Sequence, residues 1–232
     1  MVTCFAMIHI EFSGIPGSGK TYLCSLLAER LRLQGIKVVT SPVGLSKRHF
    51  LIRVLYKAGP VVAQIIQHPV WTTQVIYTIV ASRQSSIKSF LRSFFTIIQV
   101  TGTIRKHKKK DICLLLDQGS VQALFSLLYD AKNIPVRDSE RILPIPDILL
   151  ETDSPDPVLL NRLESRTRPE SRAELEGAAG LQHSRKLFSV IRNTPFFQKI
   201  TETIIVPDER TDSVVLVITQ QIQKRIHDDT QP

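Results

Sequence analysis

Between Arg30 and Lys110 the chain has no Asp or Glu at all, yet it has 15 Lys and Arg. The other 151 residues hold 15 basic and 21 acidic side chains. The net charge of +9 is therefore a basic block on a slightly acidic body. A uniformly basic protein would suggest general affinity for nucleic acid, whereas a block suggests one surface that faces an anion. Cysteine is scarce as well: Cys4, Cys24 and Cys113 are an odd number with no CxxC pair. That excludes a disulfide framework or a Cys-rich zinc module. It suits a reducing compartment, and the cytoplasm is the expected location. None of the six histidines stands at metal-ligand spacing with another His or Cys. Residues 1–12 lack the basic start and long apolar core of a signal peptide. The most apolar window, 60–81, is interrupted by Gln64, Gln67, His68, Pro69 and Gln74. A buried helix pair is expected there rather than a bilayer-spanning helix.

What is present is an ordinary globular composition, 43% hydrophobic and 22% charged, in 232 residues. It rules out a disordered chain, a collagen or a coiled coil and suits a single domain, 1–232. The pattern alternates strands and helices. Strands are expected at 4–12, 36–40, 112–116, 148–152 and 203–206. Helices are expected at 20–34, 49–57, 86–100, 121–129, from about 156, and at 213–226. The run Lys106 to Lys110 reads as a solvated loop, and 164–180 as a mobile stretch. Five strands alternating with helices predict a three-layer α/β/α domain around a parallel sheet.

The strongest chemical signal is Gly14-Ile15-Pro16-Gly17-Ser18-Gly19-Lys20-Thr21, a complete GxxxxGK[ST] between a strand and a helix. Glycines let backbone amides turn inward around a phosphate without Cβ clashes. The helix start adds its dipole at the same point. Lys20 is then expected at the outer phosphates, and the Thr21 hydroxyl on Mg²⁺. Asp117 closes the apolar run 114–116, where a neighbouring strand supplies an acid to the metal; an ordinary helix cap is the other reading. Gln118 follows as a candidate substrate contact. Arg162, Arg166, Arg168 and Arg172 form a group in which the first two share a helix face. Guanidinium groups on a mobile stretch suit charge on a transferring phosphoryl group; a solvated face paired with Glu164, Glu170 and Glu174 is the alternative.

The loop, the helix from Tyr22 to Gln34 and the strand 37–40 resemble the start of thymidylate kinases and related nucleoside and nucleotide kinases, within the P-loop NTPase superfamily. Residues 146–153 followed by Arg162 resemble that family's fourth strand and its entry into an arginine lid. The resemblance covers roughly 45 residues at the front with a specific motif and another 80 or so with weak ones. It implies a five-stranded parallel sheet with a helical insertion, an arginine lid at 162–180, and ATP and Mg²⁺ as cofactors. Phosphoryl transfer would go to an acceptor held over the sheet. By it Lys20, Asp117 and Arg166 would be catalytic. Residues 14–22, Arg162, Arg166 and Asp208 would hold nucleotide. Thr21 and Asp117 would hold the metal, and Arg48, Arg83, Gln118 and Arg168 the acceptor. The chain departs from the family where Asp117-Gln118 replaces Asp-Arg, and where Ser13 replaces an acid before the loop. Thymidine monophosphate is therefore not the expected acceptor.

The basic region, 46–110, lies where these kinases build the acceptor site. It is read as a cationic roof over a small anionic acceptor, as a face for an anionic membrane or a protein, or as a helical subdomain with solvated lysines. The first makes the chain a kinase; the second makes it a nucleotide-binding regulator or assembly ATPase. A homodimer is compatible with either, and no specific nucleic acid is expected.

Overall fold

The computed structural model describes residues 7–40, 61–108, 110–133, 139–165, 175–207 and 211–228. Five strands, β1 (Ile8–Ser13), β2 (Val38–Thr40), β3 (Cys113–Leu116), β4 (Ile148–Asp153) and β5 (Glu202–Pro207), form one parallel sheet in the order β2-β3-β1-β4-β5. All five expected strands are there, within a few residues. The expected helix at 49–57 lies outside the described residues.

Helices cover both faces. On one face α1 (Lys20–Leu33) and the last helix (Thr211–Asp228) pack Leu23, Leu27, Leu31, Val215 and Ile218 on Ile8, Ile10, Phe12, Cys113, Leu115 and Leu150. On the other face lie α2 (Pro69–Ala81), α3 (Ile87–His107), α4 (Ser120–Tyr129), α5 (Ser139–Ile142), α6 (Asp156–Glu164), α7 (Gly177–Arg192) and α8 (Pro195–Gln198). Their core joins Ile79, Ile97, Leu124, Phe125, Phe188 and Ile191 to Leu114, Leu116 and Leu149. Burial on both faces explains why β3 reads as an unbroken apolar run and why β4 opens with one, Ile148 to Leu150. The last helix is α9 in chain order.

Three sequence expectations need correction. Lys106 and His107 form the last turn of α3 rather than a loop. Cations are favourable there because they meet the negative end of the helix dipole. Residues 177–180 open α7 rather than belonging to a mobile stretch. The helix is held by Leu187, Phe188 and Ile191 in the core, and by Arg192, which clasps Glu151 through two donors at 3.1 and 2.5 Å. The apolar window does form helix over its described residues, 61–81, with a break at His68, but it is not buried all round: Val70, Tyr77 and Val80 face outward.

The sheet order places the site. β1 connects leftward over β3 to β2, while β3 connects rightward to β4. Their carboxyl ends therefore flank a switch point, where open parallel sheets leave a crevice. The crevice is overhung. α3 spans about 31 Å, and hydrogen-bonded turns bring its end directly back to the start of β3, which is only about 13 Å long. Its first turns must therefore project beyond the carboxyl edge. α4 rises beside it: Ser120 begins at the sheet, while Ser93 meets Ser126 and Ser89 meets Asp130 further along.

Candidate phosphate-binding site

The loop 14–19 joins β1 to α1 at the switch point. Gly14, Gly17 and Gly19 have φ of 149°, 87° and 88°, backbone conformations that L side chains rarely adopt. Gly14 is also needed for space. A Cβ there would lie 2.4 Å from Thr152 Oγ1 and 2.6 Å from Thr152 O on the neighbouring strand. Thr152 in turn bonds Ser18 Oγ at 2.6 Å and donates to Ser13 O at 3.1 Å. The loop is thus pinned at both ends to β4, and Ser18 N donates to Ile15 O across its waist.

Lys20 folds back over the loop. Its ammonium donates to Gly14 O at 2.8 Å and Ile15 O at 2.9 Å. The N-cap of α1 is Gly19, which has no side chain, and the first turn holds no acid. No side chain of that turn competes with an anion for the amides, so the arrangement fits a phosphate. Thr21 and Tyr22 are exposed on the first turn.

Asp117 is half-buried one residue beyond β3, the strand beside β1. Its charge reaches α1. Burial pushes the Cys24 thiol up to about 12, and the negative Asp117 adds to that rise, against a smaller opposing effect of Arg32. Asp117 therefore stands at the carboxyl end of the strand beside β1, within electrostatic range of α1. Cys113 is raised to about 12 as well, by burial first and then by Asp147 and Cys24. Neither thiol is nucleophilic at neutral pH. In the native protein both are expected to resist Ellman's reagent at about pH 8 and to react once it is unfolded in urea, which a peptide map of the labelled sites would check.

Arg162 comes to the loop from α6, with Nη1 3.4 Å from Gly17 O, while Leu159 and Leu163 of the same helix pack against Gly17. Gln118 is exposed at the carboxyl edge. Arg83 is exposed in the α2–α3 turn, in a left-handed conformation with φ 50°. It lies on the loop's side of the sheet but at the far end of α4, one helix length of about 15 Å from Gly119. Lys20, Thr21, Asp117 and Arg162 are thus brought together, and Arg83 is not. Arg48, Arg166, Arg168, Arg172 and Asp208 lie outside the described residues.

The sequence reading missed a buried acid beneath the site. Glu11, on central β1, has no exposed surface. Its carboxylate accepts from Ser120 N at 2.6 Å and Val121 N at 3.0 Å, capping α4 from a different strand. His9 Nε2 lies 3.0 Å from Glu11 Oε1, off the angle of a well-formed hydrogen bond, and His9 N donates to Asp147 at 2.7 Å. A Cβ on Gly119 would stand 2.1 Å from Glu11 Cδ, so only glycine admits the carboxylate. Glu11 therefore ties the turn Asp117-Gln118-Gly119 to the strand that carries the loop. The signal was in the sequence: Ile8, Ile10 and Phe12 alternate with His9, Glu11 and Ser13 in a strand buried on both faces.

Among the described residues no group of three or more His, Cys, Asp or Glu is placed to hold a metal ion by itself. A metal at Thr21 and Asp117 would need further oxygen ligands from phosphate and water. Among the described residues no helix is long and apolar enough to cross a membrane. No protein-family model and no curated protein matches the chain.

Proposed function

We propose that this chain is an ATP-dependent phosphotransferase of the P-loop kinase type, most like the thymidylate kinase group, acting on a small anionic acceptor. One observation carries the reading. A complete GxxxxGKT loop with three positive-φ glycines sits at the switch point of a parallel sheet, with Lys20 folded over it and Asp117 at the carboxyl end of the adjacent β3.

The loop amides and the uncapped start of α1 bind the β- and γ-phosphates. Lys20 exchanges the carbonyls of Gly14 and Ile15 for phosphate oxygens, a swap of neutral for charged acceptors that strengthens each bond. The Thr21 hydroxyl and the Asp117 carboxylate would hold Mg²⁺, which would supply charge neutralisation at the phosphates. Arg162 lies against the loop, from which its guanidinium can turn toward a transferring phosphoryl group. Asp208, outside the described residues, belongs to the nucleotide contacts in this reading, as does Arg166 in an arginine lid, while Arg168 meets the acceptor. Gln118 stands at the acceptor's edge of the crevice. Acceleration then comes from positioning and charge stabilisation.

ADP release coupled to phosphorylation of one member of a panel of nucleoside monophosphates and phosphorylated sugars tests the reading. Absence of MgATP binding by calorimetry ends it. Hydrolysis of ATP with no acceptor dependence, stimulated by a partner, transfers the site to a regulatory ATPase. Asp117→Asn is expected to raise the Mg²⁺ concentration needed for half-maximal activity about tenfold, with metal-free ATP binding little changed. An unaltered Mg²⁺ dependence removes Asp117 from the metal.

A further inference from the structure

We propose that the hairpin made by α2 and the first half of α3 docks on an anionic membrane surface, lying on it without crossing. The inference uses none of the nucleotide chemistry above.

Residues 61–82 contain no Lys, Arg, Asp or Glu, yet they do not form an all-buried pair. Toward the hairpin tip, Tyr77, Val80, Ile87, Leu91 and Phe95 each expose between 45% and 79% of their surface. Ile87, Leu91 and Phe95 follow at intervals of four and form one stripe. The stripe is opposite Ser89, Ser93 and Ile97, which face the core. On α2, Tyr77 and Val80 lie away from the buried Val75 and Ile79. A monomer gains nothing by exposing large apolar side chains on two adjoining helices.

Charge decides what covers them. Arg83 and Lys88 are exposed at the same tip and Arg92 is half-exposed beside the stripe. No acid occurs anywhere from 30 to 110, and the one acid packed against the tip from another element, half-buried Asp130, accepts from Ser89 and leaves three cations to one carboxylate. A second copy meeting this face about a two-fold axis would set the same basic groups against each other. A nucleic acid would use the cations but has no use for an aliphatic stripe of Ile87, Leu91 and Val80. An acidic bilayer surface takes both: aliphatic and aromatic side chains enter the headgroup boundary while Lys and Arg reach phosphates around them. The tip overhangs the carboxyl edge of the sheet, so docking would present the candidate site's open side toward the bilayer.

The test is sedimentation of the full chain, without nucleotide, with vesicles of phosphatidylcholine alone or with about one third phosphatidylserine, at low and high salt. Binding is expected only to the anionic vesicles and is expected to weaken at high salt. Lys88→Glu with Arg92→Glu, and separately Leu91→Asp, should each lower the partition coefficient at least about tenfold. Ile87→Ser with Leu91→Ser gives a milder apolar variant, and circular dichroism verifies folding of each. Absence of anionic vesicle binding by the wild type overturns the proposal. So does binding that survives both the charge reversal and the apolar substitutions. A dimer by light scattering that Leu91→Asp dissociates, with no vesicle binding, assigns the face to a second copy instead.

Discussion

Replacing Lys20 by alanine is expected to abolish measurable MgATP binding and to lower any phosphoryl transfer by about 10²–10³-fold, the usual cost of removing one donor aimed at developing charge. Stability should change far less. The ammonium donates to the carbonyls of Gly14 and Ile15 from a half-exposed position, where water competes and takes its place once the side chain is removed, so the net loss falls below the ~1.5–3 kcal/mol of a charged bond. The loop is held independently by Thr152 and by the three glycines. Calorimetric titration with MgATP beside a urea unfolding curve separates the two effects. A variant that binds MgATP as tightly as the wild type would show that the loop does not use this lysine for phosphate. A variant that binds nothing because it has unfolded would show that the lysine is structural. Arginine at the same position keeps the charge but not the compact ammonium, and is expected to fail as well.

The second large effect lies beneath the site. Gly119→Ala is expected to destabilise the fold by about 3 kcal/mol. The backbone there, φ −102° and ψ −153°, is open to any residue, so the cost is steric alone. The new methyl would collide with the Glu11 carboxyl group, which is fixed by two amides of α4. Glu11→Ala should itself cost about 3 kcal/mol, because it leaves two buried helix-start donors without an acceptor. The double variant decides the matter. With the carboxylate gone, the methyl group introduced by Gly119→Ala has room, and the second substitution should add under about 1 kcal/mol. A coupling of about 2 kcal/mol in urea unfolding is therefore expected, and strict additivity would remove the steric account.

These two sites differ in how visible they are in the sequence. The loop is legible because its chemistry is local: glycines, lysine and threonine must stand at fixed spacing to wrap one anion, and that spacing is printed in residues 14–21. The strands are legible for a similar reason, since a parallel sheet buried on both faces writes continuous apolar runs such as 113–116. Glu11 and Gly119 are not legible as a pair. Ser120 lies 109 positions from Glu11, and a glycine after Gln118 looks like any turn. Only the polar alternation at 9, 11 and 13 hinted that one face of β1 carried something other than core. α7 was hidden by its own start, where Gly177 and Gly180 depress helix propensity; packing of Phe188 on Phe125, with ring centroids 4.9 Å apart, outweighs it. Burial within 61–81 is not legible because its composition, uniformly uncharged, does not distinguish inward Val75 and Ile79 from outward Tyr77 and Val80.

The order of strands also bears on how the chain is made. β1 leaves the ribosome before the other four strands, yet among the described residues its partners are β3 and β4, through Ile8 with Cys113 and Ile10 with Ile148. At synthesis rates of about 5–20 residues per second, its partners follow several seconds later. Through that interval Ile8, Ile10 and Phe12 have no sheet to join, and the loop that follows them has no Thr152 to anchor it. Long-range parallel pairing of this kind is slow and prone to aggregation. Folding of this chain should therefore be largely post-translational and aided by holding chaperones, with the phosphate loop begun first and finished only when β4 arrives.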